Sequence, residues 1–72
     1  MPLVEITLTE GRNAHQIRAL LAEVHAAVHR AIGAPEPNIR VVVREVPATH
    51  WSAGGMTLAE RATTTSTTTT EA

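Results

Sequence analysis

The sequence contains no cysteine, so neither a disulfide nor a thiolate metal site is available to stiffen it. It also lacks lysine: all six basic residues are arginines, scattered along the chain, and the formal net charge is −1. A nucleic-acid surface needs a basic stripe, and none is present. Aromatic residues are nearly absent, with Trp51 the only one. Any core must therefore be assembled from Val, Ile, Leu and Ala. No apolar run approaches the length of a membrane span. No charged segment leads into an apolar signal stretch, so a cytoplasmic location is the expectation.

With 72 residues, the chain has room for one small domain. Ordering some 60 residues costs on the order of 60–120 kcal/mol of backbone entropy. Scaffolds this small offset that cost with disulfides, metal or oligomerisation. Cysteine is missing, so self-association is the expected source of extra burial.

What is present is a strong hydrophobic pattern. Leu3 to Thr9 alternates with period two, placing Val4, Ile6 and Leu8 on one face and Glu5, Thr7 and Thr9 on the other; this predicts a half-buried strand. Glu10-Gly11 breaks the alternation, and Gly11 supplies the backbone freedom of a turn. Asn13 and Gln16 sit three apart, the spacing of a capping box at a helix start. Ile17, Leu20, Leu21, Val24, Val28, Ala31 and Ile32 then recur at helical spacing, one apolar stripe on a helix of about 20 residues. Gly33 ends it, and Pro35 and Pro37 prevent its resumption. Ile39 to Val46 reads as a second strand, with Ile39, Val41 and Val43 alternating against Arg40, Val42 and Arg44.

Strand, long helix and strand make a single βαβ unit of the α/β (α+β) class, with parallel strands and a right-handed crossover. Two strands under one helix leave open edges and a bare face. Pairing with a second copy would give a four-stranded sheet carrying two helices. Pro47 to Met56 is expected to be a loop or short C-terminal hairpin turning at Gly54-Gly55, and Leu58 to Ala62 a helical turn. Residues 1–62 thus form the expected domain. Residues 63–72, almost pure Thr, lack an apolar pattern and are expected to be a disordered tail.

The residue with the most distinctive chemistry is Pro2. Met before a small residue is normally removed during synthesis, which would leave Pro2 as the N-terminus. Its secondary amine sits on a rigid ring, at the head of a strand that would fix its position. Many chains begin Met-Pro without chemical consequence, so the dipeptide alone decides nothing. Three further groups stand out: Arg12 in the turn before the helix, Arg40 at the start of the second strand, and Trp51 in the Gly-rich segment. Singly, each arginine reads as a solvated charge and Trp51 as an interface anchor.

Their order and spacing together resemble the 4-oxalocrotonate tautomerase family, in the tautomerase superfamily. The resemblance runs from Pro2 to about Glu60 without a gap. It is carried by Pro2 at the strand start, Glu10-Gly11-Arg12 at the turn and Ala34-Pro35 after the helix. Arg40-Val41-Val42-Val43 in the second strand and His50-Trp51 ahead of Gly54-Gly55 complete it. The resemblance implies a cofactor-independent tautomerase, an intramolecular isomerase acting on a 2-oxo or 2-hydroxy acid. Pro2 would be the general base for keto-enol or dienol proton transfer. Arg40 would bind the substrate's carboxylate and carbonyl oxygen and stabilise the dienolate, and Arg12 would hold a distal carboxylate. Trp51 stands where the family usually has Phe and would be an apolar wall, with His50 lining the pocket beside it. Family members draw these groups from neighbouring subunits, so the implied assembly is a homohexamer (a trimer of dimers) or a dimer, and the implied partner a small-molecule carboxylate.

Elementary chemistry fits these roles. An α-amino group titrates near about 8 in water, so a terminal amine at neutral pH is mostly protonated and idle as a base. Desolvation beside Trp51 and repulsion from a nearby guanidinium both lower its pKa, bringing it near the working pH. A guanidinium fork orients a carboxylate through two hydrogen bonds, and at the enolate oxygen it favours the charged intermediate. No metal or organic cofactor is required. The superfamily's hydrolytic dehalogenases carry an extra Arg late in the first strand and a Glu in the C-terminal loop. Thr9 and Ala53 stand near those places, which disfavours that chemistry. Trp for Phe alters the pocket, leaving both a dienoic diacid and a bulkier, ring-containing substrate open. His25 and His29 have the i, i+4 spacing of a metal pair, yet no third ligand is evident in the sequence; no metal is expected. His15, in the first helical turn, reads as solvated. The rival readings are a non-catalytic βαβ assembly module and an accessory subunit of a mixed hexamer.

Overall fold

The computed structural model describes residues 2–64. Strand β1 spans Leu3–Thr9, helix α1 Ala14–Ile32, and strand β2 Arg40–Val46. A short hairpin of β3 (Ser52–Ala53) and β4 (Met56–Thr57) follows, and helix α2 (Leu58–Thr64) ends the described chain. Single 3-10 turns at Glu36–Asn38 and Ala48–His50 precede β2 and β3.

β1 and β2 pair in parallel, from Leu3 opposite Arg40 to Thr9 opposite Val46. The period-two alternation is realised: Val4, Ile6, Leu8, Val41 and Val43 are half-buried, whereas Leu3, Glu5, Thr7, Arg40, Val42 and Arg44 are exposed. Across the exposed face Arg44 pairs with Glu5 at 3.3 Å. β2 begins at Arg40, one residue later than expected, because Ile39 closes the 3-10 turn by donating its N–H to the Glu36 carbonyl.

α1 starts with the capping box in both directions. The Asn13 side chain accepts from the Gln16 N–H at 2.8 Å, and the Gln16 side chain accepts from the Asn13 N–H at 3.0 Å. Two of the helix's orphan donors are thereby satisfied. Gly33 ends it at φ 69°, returning its N–H to the His29 carbonyl, a left-handed cap that glycine adopts without a Cβ penalty. The helix lies chiefly on β2.

The core is thin. Among the described residues only Ala34 and Ile39 are buried. The last two residues of the helical stripe, Ala31 and Ile32, stay exposed, Ile32 at 67%, because one two-stranded sheet is too narrow to cover the whole stripe. The described chain is long for its size, with extents of 47 × 21 × 21 Å. The C-terminal helix runs to Thr64, so Thr63 and Thr64, expected in the tail, belong to α2; the rest of the Thr-rich stretch lies outside the described residues. No helix among the described residues is long and apolar enough to cross a membrane.

Candidate active site

Parallel pairing decides where the candidate residues go. Pro2 precedes β1 and Arg40 opens β2, so both lie at the same end of the sheet. The Pro2 carbonyl accepts the Arg40 N–H at 3.0 Å. Pro2 is half-buried and Arg40 exposed. The Arg40 guanidinium folds back on its own chain, Nη1 donating to the Pro37 carbonyl at 3.2 Å. An exposed hydrogen bond to a carbonyl is cheap to exchange for a carboxylate, which makes a charge-assisted pair.

Arg12 lies at the opposite end. β1 finishes at Thr9, Gly11 turns the chain at φ 136°, and the Arg12 Nη1 donates to the Thr9 carbonyl at 2.9 Å. A strand rises roughly 3.3 Å per residue. The seven steps from Pro2 to Thr9 therefore span about 23 Å, several times the reach of an arginine side chain.

His50 and Trp51 come after the far end of β2. The chain leaves Val46, whose carbonyl accepts the Glu10 N–H at 3.0 Å, and makes a 3-10 turn closed by the His50 N–H on the Pro47 carbonyl at 2.8 Å. His50 is exposed and Trp51 half-buried. One protomer thus unites Pro2 with Arg40 and holds Arg12 and the His50-Trp51 pair away from them.

Two features were not legible beforehand. Glu36, carried round by the turn after Gly33, reaches both helical histidines, with His25 Nε2 at 3.5 Å and His29 Nε2 at 3.7 Å. Each imidazole addresses a different carboxylate oxygen, and His29 Nδ1 donates to the Ala34 carbonyl at 2.8 Å. Among the described residues no group of three such side chains is arranged to hold a metal ion. The His29 bond to the Ala34 carbonyl fastens the end of α1 to the turn leading into β2, the segment that delivers Arg40. The second feature is an open cleft of about 350 Å³ between α1 and β2, lined by Arg18, Leu21, Ala22, His25, Ile39 and Val41. None of the candidate residues lines it.

A parallel βαβ unit with Pro2 heading its first strand, Arg40 beside it and Trp51 just ahead of a short hairpin defines a recognisable class. The family model described as tautomerase enzyme matches residues 2–64, beginning at Pro2 itself. The chain is 37% identical over 60 residues to a 2-hydroxymuconate tautomerase of Comamonas testosteroni, covering 83% of this chain and 95% of that protein. Among solved structures it is similar to a 4-oxalocrotonate tautomerase homologue in the tomaymycin biosynthetic pathway. There the TM-score is 0.84 at 40% identity, covering 86% of this chain and 95% of the other. A heterohexamer 4-oxalocrotonate tautomerase from Chloroflexus aurantiacus is also similar, at TM-score 0.79 and 40% identity, covering 83% of this chain and 97% of the other. The chain belongs to the 4-oxalocrotonate tautomerase family of the tautomerase superfamily.

Proposed function

We propose that this chain is a cofactor-independent tautomerase whose site forms between copies of itself. Pro2, with Met1 removed, is the general base. Its neutral imino nitrogen takes a proton from the enol oxygen or α-carbon of a small 2-hydroxy or 2-oxo acid, leaving a delocalised enolate. The same nitrogen returns that proton to another carbon of the conjugated system. The pair of steps conserves protons and electrons. Arg40 binds the carboxylate and the charged oxygen, where a guanidinium is most valuable as charge develops. Arg12 takes a distal carboxylate, and Trp51, with His50 beside it, excludes water from the base.

The observation that carries this reading is the separation of the parts. Pro2 and Arg40 share one end of the sheet, while Arg12 is pinned by its bond to Thr9 at the other. A second copy whose strands run the opposite way brings its far end to the first copy's Pro2. The thin core and the exposed Leu3, Val42 and Ile32 supply apolar surface for such an assembly, in keeping with self-association as a homohexamer or dimer. The names of its relatives span a 2-hydroxymuconate tautomerase and a biosynthetic-pathway homologue. They support an unsaturated 2-hydroxy acid as the substrate class.

A second reading has one observation in its favour. The similar Chloroflexus protein is a heterohexamer, so an accessory role in a mixed assembly is the rival. A homogeneous preparation offered 2-hydroxymuconate or phenylenolpyruvate separates the two. Mass spectrometry should show a chain beginning at Pro2. kcat/KM should rise with pH through an apparent pKa below that of an ordinary terminal amine, because desolvation and guanidinium charge both penalise the protonated form. A correctly processed, assembled chain that turns over neither substrate overturns the proposal.

A further inference from the structure

Trp51 is the only aromatic residue in the chain, and its immediate surroundings do little to hold it. Thr49, His50, Ser52, Ala53, Gly54 and Gly55 are all exposed. Gly54 and Gly55 turn the hairpin at φ 65° and 84°, backbone that other residues adopt only under strain. What places Trp51 comes back from the segment after the turn. The Leu58 N–H donates to the Trp51 carbonyl at 2.8 Å. The β3–β4 ladder sets Ser52 opposite Thr57 and Ala53 opposite Met56. The Arg61 Nη2 donates to the Ala53 carbonyl at 3.0 Å. The first two ties are backbone bonds and survive a change of side chain. The third rests on one guanidinium.

The start of α2 aims that guanidinium. The Glu60 N–H donates to the Thr57 hydroxyl at 3.0 Å, and the Thr57 N–H donates to the Glu60 side chain at 2.9 Å. This is a reciprocal capping box, the same device that starts α1. It fixes the first turn of α2 against β4, and Arg61 in that turn is half-buried, its guanidinium reaching the Ala53 carbonyl.

We propose that Arg61 is a positioning residue for Trp51. Its guanidinium bridges α2 to the carbonyl two residues beyond the indole and sets the angle at which the indole closes the substrate site. The proposal deepens the function proposed above and rests on Trp51 lining that site. Arg61 itself touches no substrate.

The chain's composition provides the test, since all tryptophan fluorescence comes from Trp51. Arg61→Ala should shift that emission to the red and raise its quenching by acrylamide. It should raise KM for 2-hydroxymuconate about fivefold, within the range of an ordinary exposed hydrogen bond, with kcat within about twofold. Arg61→Lys, which keeps a cationic donor on a long stem, should restore emission and KM to within about twofold of wild type. Should Arg61→Ala fail to assemble, Arg61→Gln carries the same measurement with one neutral donor. Unchanged emission and quenching in a folded Arg61→Ala protein overturns the inference while leaving Pro2 and Arg40 as proposed. Altered fluorescence with unchanged KM also overturns it, and removes Trp51 from the substrate wall as well. A chain inactive with Arg61 intact instead refutes the function proposed above, and the fluorescence comparison still reports on the bridge alone.

Discussion

From Leu3 to Val46 the strands and the helix are long, seven residues in each strand and 19 in the helix, with one three-residue turn among them. From Pro47 to Thr64 they are short: two-residue strands, a three-residue turn and a seven-residue helix. The long elements each complete several periods, and their side chains sort into two faces. The short ones cannot display a period at all. Their order comes from named polar contacts: Thr57 with Glu60, Leu58 with Trp51, and Arg61 with Ala53. The body is specified by pattern and the arm by individual bonds. A tautomerase site of the proposed kind draws on both, taking Pro2, Arg12 and Arg40 from the body and His50 and Trp51 from the arm.

The largest effects should come from the body. Pro2→Ala and Arg40→Ala are each expected to lower kcat for 2-hydroxymuconate by about 10²-fold or more, the range of a displaced general base or oxyanion donor. Steady-state kinetics on the assembled proteins checks this. Either variant retaining wild-type kcat breaks the division of labour, since the body would then be only a frame.

That comparison also marks what was readable in the residues. Ile17, Leu20, Leu21, Val24 and Val28 announce α1 because a 3.6-residue period needs only hydrophobicity to show itself. Gly33 announces its end, and the alternation of Val41 and Val43 with Val42 and Arg44 announces β2. The glycine pair at 54 and 55 marks the hairpin turn. Arg61 announces nothing, because a side-chain bond to a carbonyl eight residues away has no periodic signature. Glu36 was hidden likewise: its approach to His25 and His29 depends on the turn angle at Gly33. The candidate site was legible as a set of residues through their order along the chain. Its division between two ends of a strand required the parallel register, which places Arg40 beside Pro2 and leaves Thr9, the anchor of Arg12, about 23 Å away by strand rise.

Arg12 tests that division at an intermediate scale. It lies at the opposite end of the sheet from the base, its guanidinium bonded to the Thr9 carbonyl. In the proposed assembly it meets the substrate's remote carboxylate. Arg12→Ala should raise KM for diacids roughly tenfold and leave monoacids within about twofold, with kcat little changed, as befits loss of binding that is uniform along the reaction. Parallel KM measurements with 2-hydroxymuconate and phenylenolpyruvate decide it. Equal losses for both substrates would mean that Arg12 shapes the interface and contributes no distal contact.

The smallest effect sharpens the contrast from the neighbouring position. Asn13 adjoins Arg12, but its side chain is committed to the helix, accepting the Gln16 N–H at 2.8 Å. Asn13→Ala leaves that donor to water and should cost about 1 kcal/mol. In a domain of this size the loss lowers Tm by about 4–8 °C, measured at fixed protomer concentration because assembly contributes to the apparent stability. Asn13→Ser, which keeps an accepting oxygen, should recover most of it. Diacid KM should stay at the wild-type value in both variants. The backbone turn at Gly11 and the Arg12 bond to the Thr9 carbonyl both lie upstream of the cap and do not depend on it. If Asn13→Ala instead raises diacid KM as Arg12→Ala does, then the cap and the arginine act as one unit. The line between a stability residue and a binding residue would then have to be drawn beyond Asn13, inside α1.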